Sequence, residues 1–264
     1  MKSVLSKIKK FGKQLFDPTP DLVVVLASAH KVGSTWLFNL LKDIGEFESP
    51  ALPPTLNDSG TLLLDEPGSG AFLKNAKGKK IFKSHAFPIP IEKRMGAKFI
   101  SVYRDPRDVI ISGTFYLSNL DHAKGGWDEK HRNLGEKEKI QHFISTGGWC
   151  IDRLRAWYND KDTCNVKYES LLTNTFEEVK KVIKFLSLPI DDEKIRSAIE
   201  ANSFAKKAGR KQGEEDKSSF YRKGVSGDWK NYFDDKMKEH FITALGGEWN
   251  KLLIEMGYES NAKW

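Results

Sequence analysis

The sequence predicts an α/β fold in three layers, a central parallel sheet with helices on either side. Three observations carry the prediction. Short runs rich in Val, Ile and Phe recur at 22–27, 80–85 and 97–104, with a fourth strand candidate at 165–168. Segments with helical periodicity stand between and after them, at 34–44, 106–120, 149–159 and 175–186, and strands alternating with helices argue for a parallel sheet. Polar residues gather just past the strand candidates, where sheets of this kind place their ligands.

The elements follow in order. Leu22-Val23-Val24-Val25-Leu26-Ala27 is an apolar run of the kind that forms a buried parallel strand, and it enters a small-residue turn. The helix after the turn starts near Ser34 and runs to Ile44, with Gly45 placed to cap its end. Residues 49–80 are rich in Pro, Gly, Asn, Asp and Lys and read as loops, with Thr61-Leu62-Leu63-Leu64 an ambiguous interruption. Two strands end in Lys83-Ser84-His85 and Tyr103-Arg104; after the second, Asp105 suits an N-cap and Pro106 the first helical position. Residues 121–148 are charged and punctuated by Gly, so a mobile loop with short helical pieces is expected. Residues 149–159 and 175–186 read as helices, 205–219 as a polar loop, and 233–256 as mostly helical. There is no internal repeat, and residues 18–264 are expected to form one domain.

The chain has 264 residues, 39% hydrophobic and 30% charged, with 43 Lys and Arg against 36 Asp and Glu. That is an ordinary globular composition with a modest net charge of +7, suited to anionic ligands. No run reads as a nucleic-acid module. The 2 cysteines, Cys150 and Cys164, form neither C-x-x-C nor a His cluster, so a reduced compartment and no structural zinc are expected. No apolar run approaches the ~20 residues of a membrane span, and no secretory h-region is read at the N-terminus, so the expectation is a cytoplasmic protein. Residues 1–17 instead carry a basic amphipathic helix, with Val4, Leu5, Ile8, Phe11 and Leu15 on one face and lysines around it. Such a helix either makes peripheral contact with an anionic membrane through residues 2–16 or packs its apolar face on the domain.

The first strand leads into Ser28-Ala29-His30-Lys31-Val32-Gly33-Ser34-Thr35-Trp36. A strand, a small-residue loop and a helix start form a phosphate-cradling loop of P-loop type, because helix N-termini carry unsatisfied N–H donors and positive partial charge. Lys31 adds a point charge, Gly33 admits close backbone approach, and Ser34 and Thr35 add hydroxyls. Nucleoside-triphosphatase loops place Lys after the last Gly; here Lys31 precedes Gly33. The order Lys-x-Gly-Ser-Thr-Trp resembles the 5′-phosphosulfate loop of cytosolic-type sulfotransferases, which move a sulfuryl group from 3′-phosphoadenosine 5′-phosphosulfate (PAPS) to an acceptor and release 3′-phosphoadenosine 5′-phosphate (PAP).

Further segments extend the resemblance across roughly residues 21–258. Arg104-Asp105-Pro106-Arg107-Asp108-Val109-Ile110-Ile111-Ser112 is similar to the family's R-(x)7-S segment for the 3′-phosphate. Arg222-Lys223-Gly224-Val225-Ser226-Gly227-Asp228-Trp229-Lys230 is similar to its R-K-G-x-x-G-D-W-K segment. The resemblance implies that Arg104, Ser112, Arg222, Lys223 and the Gly224 backbone hold the 3′-phosphate, which arginine's planar fork suits. Lys83-Ser84-His85 resembles the family's K-T-H. It implies His85 as general base, with Lys83 near the transferred group and Lys31 on the leaving oxygen. Trp36, Phe204, Ser203 and Tyr168 resemble the adenine contacts, the adenine role being preferred to a core role for the three aromatics. No metal is needed in this scheme.

The polar loop at 205–221 is expected to act as a flap over the nucleotide. Residues 50–80 and 121–148 are expected to set the acceptor, a small molecule, lipid or glycan; Phe72, Phe115, Tyr116, Trp127, Phe143 and Trp149 suggest an apolar portion. The lid histidines His122, His131 and His142 are further candidates for acceptor contact. Departures are visible. His30 stands where the family has Pro, and Val32 where it has the Ser that restrains the lysine. Asp234-Asp235 interrupt the apolar C-terminal dimer motif. Two other classes stay open at this point: a kinase-like P-loop enzyme, and a non-catalytic nucleotide-binding module.

Overall fold

A computed structural model describes residues 21–121 and 126–264, so the expected helix at 1–17 and the candidate His122 lie outside the described residues. The first strand, β1 (Leu22–Ala27), is followed by helix α1 (Ser34–Gly45), a two-stranded hairpin β2 (Asn57–Asp58) and β3 (Thr61–Leu62), and helix α2 (Ser69–Asn75). Next come β4 (Lys79–Ser84), β5 (Lys98–Tyr103), α3 (Pro106–Asn119), α4 (Glu129–Arg132), α5 (Glu136–Thr146) and α6 (Gly148–Tyr158). The rest runs β6 (Thr163–Lys167), α7 (Tyr168–Thr173), α8 (Thr175–Phe185), α9 (Asp192–Ala201), α10 (Phe204–Ala208), α11 (Asp235–Thr243) and α12 (Glu248–Glu255).

The main sheet has 4 strands in the order β4-β1-β5-β6, paired in parallel throughout. Side chains alternate across it, and each face has its own core. Val24, Leu26, Ile81, Ile100 and Val102 bury against Leu37, Leu40, Leu41 and Ile44 of α1 and the C-terminal helices. Val25, Ala27, Phe82 and Phe99 bury against Leu62, Leu73 and Trp157 on the opposite face. Burial on both faces explains the unbroken apolar reading of β1.

Register positions the site. Leu26 lies opposite Lys83 and Ala27 opposite Ser84, while Tyr103 lies opposite Lys167. The four strands therefore end at one edge, and the loop after β1, His85, Arg104 and Tyr168 emerge there together.

Several local expectations are corrected. Gly45 is the last residue of α1, and Glu46 takes the left-handed cap at φ 54. Gly45 is needed for another reason: a Cβ there would stand 2.1 Å from the Phe47 ring. The segment 49–80 holds the hairpin and α2, and buries Leu62, Leu64 and Leu73. In 121–148 the charged surface hides α5, whose Ile140, Phe143 and Ile144 fill the core between polar neighbours. Helix α9, for which no element is predicted, is capped by Asp191 accepting from the Lys194 N–H, and buries Ile195 and Ala198. Tyr168 opens α7 rather than closing β6, and α10 occupies the start of the expected 205–219 loop. As predicted, Asp105 caps α3, accepting from the Arg107 N–H, with Pro106 in the first turn. Asp234 caps α11 by accepting from the Met237 N–H. Among the described residues no helix is long and apolar enough to cross a membrane.

Candidate active site

The loop after β1 reaches α1 through Lys31 at φ 64 and Gly33 at φ 92. No side chain caps α1, and the Trp36 N–H donates to the Gly33 carbonyl at 3.0 Å, so the Ser34 and Thr35 N–H groups remain for a ligand. The Lys31 ammonium sits between two rings, 4.0 Å from the centre of Tyr116 and 4.4 Å from that of Phe220. Burial, then the charges of Arg104, Lys83 and Arg222, pull Lys31 down to about 7. Val32 is fully buried and contributes packing alone.

At the end of β4, Lys83 Nζ donates to Thr35 Oγ1 at 2.6 Å. His85 Nδ1 lies 2.8 Å from the Ser28 carbonyl oxygen. A carbonyl oxygen only accepts, so Nδ1 carries the proton and Nε2 of the neutral ring keeps its lone pair. The His30 ring stacks on His85, centroids 3.9 Å apart, and the Trp149 ring meets His30 edge-on at 5.9 Å. Burial holds His85 down to about 4, against the opposing Ser28 hydrogen bond, and holds His30 down to about 3. Both imidazoles are thus neutral at ordinary pH.

Arg104, just past β5, is buried and donates to the carbonyls of Lys31 at 3.2 Å and Val225 at 2.9 Å. Its guanidinium lies 4.4 Å over the Tyr168 ring, with Asp108 Oδ2 3.5 Å from Nη2. Asp108 in turn accepts from the N–H groups of Gly227 and Trp229, at 2.7 and 3.0 Å, and so ties the Arg222–Trp229 segment to α3. Asp228 pairs with both Arg222 and Lys223, and Glu215 takes the other end of the Arg222 fork. Phe204 packs where a Gly224 Cβ would stand, 2.3 Å away, with Gly224 at φ 68.

Every residue predicted for the site lines one cleft of about 310 Å³. Lys31, Gly33, Ser34, Thr35 and Trp36 come from the first loop, Lys83 and His85 from β4, Arg104 and Ser112 from β5 and α3. Tyr168, Ser203, Phe204, Arg222, Lys223 and Gly224 complete it. Trp36 is fixed by its indole N–H donating to the Asn202 carbonyl at 3.0 Å. The cleft also includes His30, Tyr116, Asn202 and Phe220, which sequence reasoning did not assign to the nucleotide. Tyr116 was within reach: it stands four residues after Ser112, one turn on along the same helix face. Phe72, Phe115 and Phe143 do not line this cleft; Phe72 is edge-on to Phe82, Phe143 lies against Gly113, and Phe115 lines an adjoining pocket with Lys31, Tyr116 and Phe220. His131 and His142 stack on one another, centroids 4.0 Å apart, and do not line the cleft.

The residues present fit an anionic nucleotide with a phosphate at each end. Six cations line the cleft, and the buried Arg104 Nε has no hydrogen-bond partner. Gly33 and Gly224 both bring backbone close to it at positive φ. Among the described residues no three His, Cys, Asp or Glu side chains group as a metal site.

The family model described as sulfotransferase domain matches residues 21–251. The chain belongs to the PAPS-dependent sulfotransferase family, and is a sulfotransferase by that membership. Sulfotransferase 2A1 of Homo sapiens is 28% identical over 187 residues, an alignment spanning 64% of this chain and 63% of that protein, just under two thirds of its length. Sulfotransferase 6B1 of Danio rerio is 26% identical over 264 residues, covering 89% of this chain and 82% of the relative. The solved structure of mouse sulfotransferase SULT7A1 complexed with PAP has the same fold, with a TM-score of 0.65 at 21% identity, covering 91% of this chain and 86% of that one.

Proposed function

We propose that this protein transfers the sulfuryl group of PAPS to an acceptor hydroxyl or amine, with His85 as general base. The observation that carries the reading is the fixed tautomer of His85: its Nδ1 proton is committed to the Ser28 carbonyl, so Nε2 is the atom left to accept a proton. PAPS supplies the sulfuryl group on a phosphate leaving group, and the family's PAP-bound member supports a bisphosphate nucleotide in this cleft.

The chain's own residues position and stabilise. His85 Nε2 takes the acceptor proton as the nucleophilic oxygen or nitrogen attacks in line. Lys31 and the first N–H groups of α1 offset negative charge at the 5′ end. Lys83, steadied by Thr35, holds a positive charge near the transferred group. Arg104, Ser112, Arg222, Lys223 and the Gly224 backbone bind the 3′-phosphate, and Trp36, Tyr168, Ser203 and Phe204 bind adenine. Loading with an anion raises the Lys31 and His85 pKa values from their depressed levels, since a nearby negative charge favours the protonated form of each.

A thermal-shift titration with PAP, beside 5′-AMP and Mg-ATP, tests the nucleotide assignment. A ligand that binds only the folded state raises the melting temperature by mass action. A large shift with PAP and little with the others is expected; a shift with Mg-ATP alone overturns the reading.

A further inference from the structure

Arg153 has no part in the scheme above. It lies on α6 one turn after Trp149, close enough for its charge to act on both His30 and His85. Its guanidinium carbon stands 5.0 Å from the centre of the Phe87 ring. Its Nε is buried without a hydrogen-bond partner, and among the described residues the side chain makes no ion pair. Several other buried or partly buried arginines are held by carboxylates, Arg94 by Asp160, Arg107 by Asp105 and Arg155 by Glu248, while Arg132 and Arg210 donate to backbone carbonyls. A half-buried guanidinium without an acceptor is unfavourable, and an anion removes the deficit.

The surroundings are one-sided. The charges that act most on the imidazole pair are those of Lys83, Arg153 and Lys31, all positive. Lys31 and Lys83 line the nucleotide cleft, whereas Arg153 does not line it and stands one helical turn from Trp149, whose ring meets His30. Beside it the Phe87 and Trp149 rings are 42% and 43% exposed, so two apolar surfaces stand open next to the guanidinium. Base, free cation and two exposed rings therefore sit together on the acceptor side of His85.

We propose that the acceptor is a hydroxy compound with an apolar body and an anionic group, the body lying against Phe87 and Trp149 and the anion bound by Arg153. The proposal rests on the assignment of His85 as the base facing the acceptor. Arg153 then selects among acceptors and takes no part in the transfer itself.

The test compares 6-hydroxy-2-naphthoate with the neutral 2-naphthol, each titrated into the full chain by calorimetry, with and without saturating PAP. The wild type should bind the carboxylate about tenfold or more tighter, as expected of a charge-assisted pair. Arg153→Met, which keeps an apolar stem, should abolish that ratio and leave 2-naphthol affinity within about twofold; Arg153→Lys should keep part of it. Equal affinities in the wild type, no measurable naphthoate binding, or a ratio that survives Arg153→Met overturns the proposal. The PAP melting shift of the same proteins confirms folding and reports on the nucleotide site. Failure of the donor reading would appear as a missing PAP shift, while the naphthoate ratio without PAP still reports on Arg153.

Discussion

Replacing Gly33 with alanine tests the phosphate loop where backbone and packing demand the same residue. Gly33 has φ 92 and ψ 10, a left-handed conformation, which costs a residue with a Cβ roughly 1–2 kcal/mol. The added Cβ would also stand 2.5 Å from two Tyr168 ring carbons, against an ordinary carbon contact of about 3.5–4.0 Å. Tyr168 is buried with Arg104 stacked on its face, so it cannot withdraw without moving that arginine. Overpacking of this kind costs about 1–3 kcal/mol. The expected sum is about 2–5 kcal/mol, or roughly 4–20 °C in melting temperature for a chain of this size. A double-mutant cycle separates the two contributions. In a Tyr168→Ala background the steric part should vanish and the backbone part persist, giving a coupling energy of about 1–3 kcal/mol. Thermal denaturation of the four proteins reads the cycle, and PAP titration should show weaker binding by Gly33→Ala as Arg104 shifts. A coupling energy within about 0.5 kcal/mol of zero would refute the argument, because Gly33 would then not be fitted to Tyr168.

Further outcomes follow from the same geometry. His85→Ala should lower sulfuryl transfer by about 10²- to 10⁴-fold while the melting shift with PAP stays close to that of the wild type; undiminished turnover in an acceptor assay would remove His85 as the base. Glu215 occupies one end of the Arg222 fork that the 3′-phosphate is proposed to use, so Glu215→Gln should tighten PAP binding several-fold by calorimetry, and weaker binding would contradict a competing role for Glu215. Lys31, pulled down to about 7 in the free protein, binds anions in its protonated form and gains basicity in the complex. PAP affinity should therefore fall as pH rises above about 7, by at most tenfold per unit for one linked proton, and Lys31→Met should flatten that dependence. An affinity constant from pH 7 to 9 in the wild type would count against Lys31 as a ligand of the nucleotide.

Much of the site was legible because its chemistry is clustered in short segments. Lys31 to Trp36, Arg104 to Ser112 and Arg222 to Gly224 each carry their residue types and glycines within a few positions, and the strand ahead of each of the first two announces where it emerges. The elements that were missed are short or masked by charge. Helix α5 shows only Ile140, Phe143 and Ile144 among polar residues, and α9 little beyond the Asp191 cap and Ile195. The hairpin at 57–62 is too brief for a period to register. Their stability comes from what they pack against, which propensity does not contain.

Local order along the chain determined the strands, the start of α1, the capped start of α3 and the residue types offered to a phosphate, since each depends on neighbours a few positions away. Only the tertiary structure decided what those groups meet. Strand order and register bring Lys83 beside Thr35 and stack His30 on His85. The fold of the 205–221 segment sets Phe220 against Lys31 and Glu215 against Arg222. All but the Glu215–Arg222 pair join segments remote in sequence, and charge and aromatic contacts act through space at a few ångströms, so spacing along the chain does not contain them.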